Sequence, residues 1–211
     1  MRKCPRCEVN YIKGDQDICE VCMKEKYLKI RQKRYNDKGV VTGCFLVFQN
    51  ATFHEEVIGG YLWAPDCEGA NAKSHWLEMH NVYPGDFILH SNRQNISVIS
   101  IAKSSAYSAK RPSSKFNQWD NEGLKIDVEC FEFSKCINTA VHMNKLLKMQ
   151  PDYYAPFNVL GRGNAGYLFR VNKEMVEYVL NETLKLQNEQ RQKDKLKYLL
   201  EKFHERYDDK I

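Results

Sequence analysis

The sequence predicts an α+β fold: a small β-barrel or curved sheet with flanking helices, preceded by a cysteine-rich segment and followed by a charged C-terminal helix. Three observations carry this. Short apolar runs rich in β-branched and aromatic residues recur between Val40 and Val171, each bounded by turn residues. Apolar positions then recur at helical spacing from Lys173 to Tyr207. Ahead of both stand two Cys-x-x-Cys pairs. With 211 residues, 43% of them apolar and 12% aromatic, the chain can bury a core, and no segment is apolar for long enough to span a membrane.

Residues 1–24 read as a four-cysteine zinc ribbon. Cys4, Cys7, Cys19 and Cys22 form two tight corners separated by eleven residues, with Gly14 and Asp15 available for a turn between them. Two facing corners of this kind supply the four thiolates that a structural zinc ion requires. Two disulfides would need an oxidising compartment, and Met1-Arg2-Lys3 leads into the first cysteine with no apolar stretch behind it, so the expectation is a cytoplasmic chain. Cys44, Cys67, Cys130 and Cys136 lack ligand spacing and are expected to be free thiols, mostly buried.

Residues 25–39 form a basic linker or short helix, ended by Asn36-Asp37-Lys38-Gly39. Met1 to Lys38 holds eleven Lys or Arg against six Asp or Glu, which equals the +5 excess of the whole chain. Such a patch either attracts a polyanion or is a solvated basic linker.

Residues 40–182 form the barrel. Strands are expected over Val40–Phe48, Gly60–Trp63, Phe87–His90, Ile96–Ala102, Leu124–Phe133 and Tyr167–Val171, with short helices over His75–His80 and Thr139–Met149. From Lys173 the spacing predicts one long helix or two consecutive ones. Met175, Val176, Val179, Leu180 and Leu184 face the barrel in the first half, and Leu196, Leu199, Leu200 and Phe203 form a stripe in the second. The second half, within residues 183–211, has little apolar surface and is expected to project, to make a homodimer contact or to lead to another module.

Catalytic motifs are absent from the sequence: there is no phosphate-binding loop, no His-Glu-x-x-His and no nucleophile elbow. Gly161-Arg162-Gly163-Asn164-Ala165-Gly166 matches Gly-x-Gly-x-x-Gly in letters only, because it follows Pro156-Phe157-Asn158 and precedes an expected strand instead of opening a helix. Arg162 on such a loop is placed to approach a phosphate backbone. His75, His80 and His90 have no acidic partner and nucleophile to complete a triad. Aromatic and polar residues instead gather at turns and strand ends, where they serve either as core or as a stacking pocket for an extruded base.

Gly60-Tyr61-Leu62-Trp63-Ala64-Pro65, His75-Trp76, Val82 to His90, Ile99 to Ser104, and Trp119 ahead of Gly123 together resemble the EVE-type members of the PUA-like superfamily, over about Gly43 to Leu180. The resemblance implies a compact β-barrel that binds nucleic acid. The subset it is most similar to stands at the front of Mcr-type modification-dependent restriction systems, where the domain flips a modified base into an aromatic pocket and a separate nuclease or NTPase module acts on the DNA. The chain is therefore expected to be a non-catalytic reader of duplex DNA carrying a methylated cytosine or adenine. An RNA-binding PUA-like module, or a zinc-ribbon adaptor for proteins, are the alternatives. By position, Trp63, Trp76, Tyr107 and Trp119 are expected to line the pocket, with His90, Ser91 and Asn92 supplying hydrogen bonds to the base edge. Asp86, between Gly85 and a strand, is expected to fix a turn through local backbone contacts. Lys103, Lys110, Arg111 and Lys115 surround an expected loop, Tyr107 to Ser114, and with Arg162 either run along phosphates or are solvated.

Overall fold

In the computed structural model, the residues described are 2–5, 8, 10–12, 19, 22, 43–65, 76, 78–112, 122–152 and 154–207. Cys7, Cys67, His75, Trp119, Lys115 and the linker 25–39 lie outside them. At the N-terminus, β1 (Arg2–Lys3) and β2 (Tyr11–Ile12) form an antiparallel ribbon with Arg2 opposite Ile12.

The main sheet has seven strands. They are β3 (Cys44–Phe48), β4 (Tyr61–Pro65), β5 (Phe87–Asn92), β6 (Asn95–Ala102), β7 (Tyr107–Lys110), β8 (Glu122–Asn138) and β9 (Leu168–Val171). Their order is β4-β8-β6-β5-β3-β9, with β7 also on β8. Only β3 and β5 run parallel among these pairs. The sheet curls into a half-barrel because β8 is 17 residues long and serves two sets of neighbours. Its first part, Gly123–Asp127, pairs with β4, and Glu122–Lys125 also pairs with β7, whereas Val128–Asn138 pairs with β6.

The curl explains why β3 reads as a continuous apolar run instead of an alternating one: both of its faces are covered. Phe45 and Val47 point into the concave interior with Leu62, Ile88, Ile126 and Leu168. Cys44 and Leu46 point outward, against Met175, Val176, Val179 and Leu180 of α3 (Lys173–Leu186) and Leu196, Leu199, Phe203 and Tyr207 of α4 (Gln190–Tyr207). Two further α-helices, α1 (Phe53–Gly59) and α2 (Thr139–Met149), complete the described set.

Each of the six expected strands has a counterpart among the described residues, with positions 40–42 of the first lying outside them, and α2 has the expected bounds. Two expectations are corrected, and one helix is unexpected. The segment after Ala106 opens as strand β7, because Tyr107–Lys110 finds a free edge on β8. The unexpected α1 has only seven residues, too short for a periodic signal beyond Phe53 and Val57. Finally, α4 does not project: Leu196 and Leu199 are fully buried and Phe203 nearly so, packed on the sheet with α3. Any dimer through α4 would have to use its charged outer face.

Candidate functional site

Two arrangements on the half-barrel bring together side chains able to do chemistry or bind. The first lies on the β4-β8-β7 face. Antiparallel register places Trp63 of β4 and Tyr107 of β7 on opposite sides of Lys125 in β8, and Tyr61 opposite Asp127. Residues two apart share a face of a strand, so these five form one patch. The Lys125 Nζ sits 5.3 Å from the Tyr61 ring centroid and 5.8 Å from that of Tyr107, within cation–π range. It also lies 3.1 Å from the Asp127 carboxylate, which accepts the Tyr107 hydroxyl at 3.0 Å. Partial burial opposes the Lys125 charge, but its bonds to Asp127 and Tyr107 outweigh that and raise its pKa, keeping it cationic.

Trp63 is fixed beneath this patch. It is 1% exposed, and its indole N–H donates to the Ala109 carbonyl at 3.3 Å. Gly123 is required beside it, since a Cβ there would stand 2.4 Å from the indole ring. Trp63 therefore forms the floor of the patch, while Tyr107, 40% exposed, is its accessible aromatic.

The second arrangement is a buried hydrogen-bonded chain. The His90 Nε2 is 2.7 Å from the Ser100 hydroxyl, and its Nδ1 is 2.8 Å from Gln49 Oε1. Because an amide oxygen only accepts, Nδ1 carries the proton and Nε2 accepts from Ser100. The Gln49 amide donates to Glu56 at 2.7 Å, and Thr52 donates to the other carboxylate oxygen at 2.5 Å. The Tyr167 hydroxyl donates to Glu56 as well, and it accepts the backbone N–H of Trp63 at 3.2 Å. The chain thus runs from Ser100 on β6 to the backbone under the aromatic patch. Burial pushes the Glu56 carboxyl up to about 7 against the pull of its donors, and pushes His90 down to about 3, so its imidazole is neutral. Burial, with the charge of Glu56, also raises Tyr167 well above the ordinary phenol range.

These placements revise several expected roles. His90 commits both ring nitrogens inside the chain, and Ser91 is buried where β5 meets β3, so neither presents a free base-reading group at the surface. Asn92 ends β5 opposite Asn95 at a tight turn, with its side-chain oxygen buried and without a hydrogen bond. Trp76 is half-buried against the interior apolar cluster. Lys103, Lys110 and Arg162 are exposed and Arg111 half-buried. Asp86 does fix a turn, accepting the Tyr83 N–H at 2.8 Å, and it also pairs with Arg206 at 2.6 Å. Gln49, Glu56, Ser100, Lys125, Asp127 and Tyr167 had no motif to announce them. Only the register of the sheet and the position of α1 bring them together.

A third cluster lies in the N-terminal segment. The sulfurs of Cys4, Cys19 and Cys22 fall within 4.8 Å of one another, all three buried, and can hold a metal ion. Two polar hydrogens point at this sulfur set: Cys19 N–H lies 3.2 Å from Cys4 Sγ, and the Asn10 amide 3.5 Å from Cys19 Sγ. Elsewhere, burial raises Cys44 and Cys130 to about 12 and also raises Cys136, so all three stay as thiols. Among the described residues, no helix is long and apolar enough to cross a membrane.

No family model matches the chain, and no curated protein does. Among solved structures, Rpa0253 from Rhodopseudomonas palustris is similar over 70% of this chain and 97% of its own, at 13% identity and a TM-score of 0.41. A hypothetical protein from Leishmania major is similar over 68% of this chain and 96% of its own, at 9% identity and a TM-score of 0.47.

Proposed function

We propose that this chain is a non-catalytic reader of a modified base, a methylated cytosine or adenine in duplex DNA, built on an EVE-type PUA-like half-barrel. The observation that carries the reading is the row Trp63–Lys125–Tyr107 across β4, β8 and β7. It sets the exposed ring of Tyr107 beside one fixed cation, over the buried Trp63, a pairing suited to stack on a base and hold the adjoining phosphate. Lys110, paired opposite Glu122 at the end of β7, extends the positive edge, with Arg111 next in sequence. Trp119 and Lys115 lie outside the described residues, and their expected roles as pocket wall and phosphate contact are part of this proposal. A nuclease or NTPase module is expected elsewhere, in a restriction or defence system.

At the N-terminus, Cys4, Cys19 and Cys22, with Cys7 as fourth ligand, fit a structural zinc ion. The ion would crosslink a segment whose two-residue strands are too short to hold a fold unaided.

The deciding measurement is a binding screen of the full chain against duplexes identical except for one modified base, with single-stranded and duplex RNA alongside. A preference for one modified duplex is expected, and binding to it should weaken steeply with salt. Tyr107→Ala should reduce the preference by about 1–3 kcal/mol, and Lys125→Gln should weaken modified and plain duplex alike. Tighter binding to RNA, or no nucleic-acid affinity at low salt, would overturn the reading.

A further inference from the structure

The turn between α2 and β9 exposes two apolar side chains on a rigid support. Val159 is 92% exposed and Leu160 76%. The turn below them is closed by Asn158, whose side-chain oxygen accepts the N–H groups of Leu160 at 2.9 Å and Arg162 at 3.1 Å. The Asn158 N–H donates to the Arg162 carbonyl at 2.9 Å, and Phe157 bridges to Gly163. At its base, buried Phe157 packs edge-on against Phe48 at the end of β3, with centroids 5.9 Å apart. Gly161 adopts a φ of +74°, and a Cβ there would stand 2.5 Å from the Met143 side chain of α2, so the turn rests directly on that helix.

A rigid support that holds a leucine and a valine in water stabilises nothing in the isolated chain, since both lose their burial. The tip is also small. Two side chains fall far short of the roughly 800 Å² per partner that a specific protein interface buries, whereas one or two apolar side chains suffice to open a base step. The surrounding charge favours a polyanion. Arg162 follows the tip and is exposed, and residues 138–166 carry Lys145, Lys148 and Arg162 against the single acid Asp152, whereas Arg170 on β9 is paired with Glu78.

We propose that Val159 and Leu160 form a wedge that enters the base stack of duplex DNA, with Arg162 on the flanking phosphate. This rests on the reading of the chain as a duplex reader and adds the element that fills the gap left by an extruded base. Opening a step costs a few kcal/mol, and an inserted apolar side chain offsets part of that cost.

The test uses the full chain and two duplexes, one with 5-methylcytosine and one with N6-methyladenine, each carrying 2-aminopurine at the neighbouring position, together with their unmodified counterparts. Wild type should raise the 2-aminopurine fluorescence on binding, reporting loss of stacking. The double variant Val159→Ser, Leu160→Ser, whose changes lie in solvent, should keep its thermal midpoint, lose most of that rise and bind about 10-fold more weakly. Arg162→Gln should lower the slope of log affinity against log salt by about 1. If wild type binds and discriminates while the double variant gives the same fluorescence and affinity, the wedge is overturned and the reader stands. If wild type binds without preference but the rise still depends on Val159 and Leu160, the wedge stands and modified-base reading falls. No binding by wild type at low salt overturns both.

Discussion

The Tyr167 hydroxyl joins Glu56 of α1 to the backbone of Trp63 on β4, donating to the carboxylate and accepting the Trp63 N–H at 3.2 Å. One phenol just before β9 therefore links a buried acid to the residue under the aromatic patch, and the protonation of that acid becomes measurable.

Glu56 is held at about 7 in the folded chain, against an ordinary 4.5. The folded state therefore binds a proton that the unfolded state has released, and the associated stability is complete below pH 4.5 and lost as pH rises through 7. The difference is on the order of 3 kcal/mol. Glu56→Gln should remove this dependence, read by urea unfolding between pH 4.5 and 8. Comparison with wild type cancels contributions from the cysteines. Identical slopes in both proteins would mean that Glu56 titrates normally.

His90 works with the opposite sign. Its folded value of about 3 lies below the ordinary 6.5, so its contribution is complete above pH 6.5 and lost as pH falls toward 3. Between pH 6.5 and 4.5 the two groups oppose each other, and wild-type stability should be nearly flat. Glu56→Gln should expose the acid-side fall, whereas His90→Gln should leave a rise as pH drops. Parallel curves for the two variants would contradict this pairing.

Arg206 pairs with Asp86, a fully buried carboxylate, and the neighbouring Tyr207 hydroxyl donates to the Gly43 carbonyl at 2.7 Å. Arg206→Ala should cost about 1–3 kcal/mol, at the low side for a buried pair because the guanidinium is partly exposed. Asp86→Asn added to it should recover part of the loss. Phe203→Ala, which empties core space between α4 and Phe87, should cost about 3–5 kcal/mol. A helix that merely projected would show neither effect in thermal unfolding.

The purified chain should carry one zinc ion, counted by elemental analysis. Changing Cys4, Cys19 or Cys22 to Ser should abolish it, and Cys7→Ser should do the same if Cys7 completes the set. Because, among the described residues, the thiol cluster shares none with the cores of the half-barrel, zinc loss should leave the main unfolding transition within about 1 kcal/mol of wild type.

The amino-acid sequence determined six strands of the main sheet, α2, a helical C-terminal region read as one long helix or two, and the cysteine cluster, since each depends on local periodicity, turn chemistry or spacing. The turn role of Asp86 was legible for the same reason. Tertiary structure decided the rest. Whether Leu196, Leu199 and Phe203 packed inward or faced a partner depended on the outer side of a sheet whose residues lie about a hundred positions away. β7 became a strand because β8 offered it an edge. The chain from Ser100 through His90, Gln49, Glu56 and Tyr167 to Trp63 draws on three strands, a helix and two connecting segments, and the row Trp63–Lys125–Tyr107 exists only in the register of three strands. Side-chain type and spacing specify elements, but which polar groups are buried together follows from how a long, bent β8 curls the sheet.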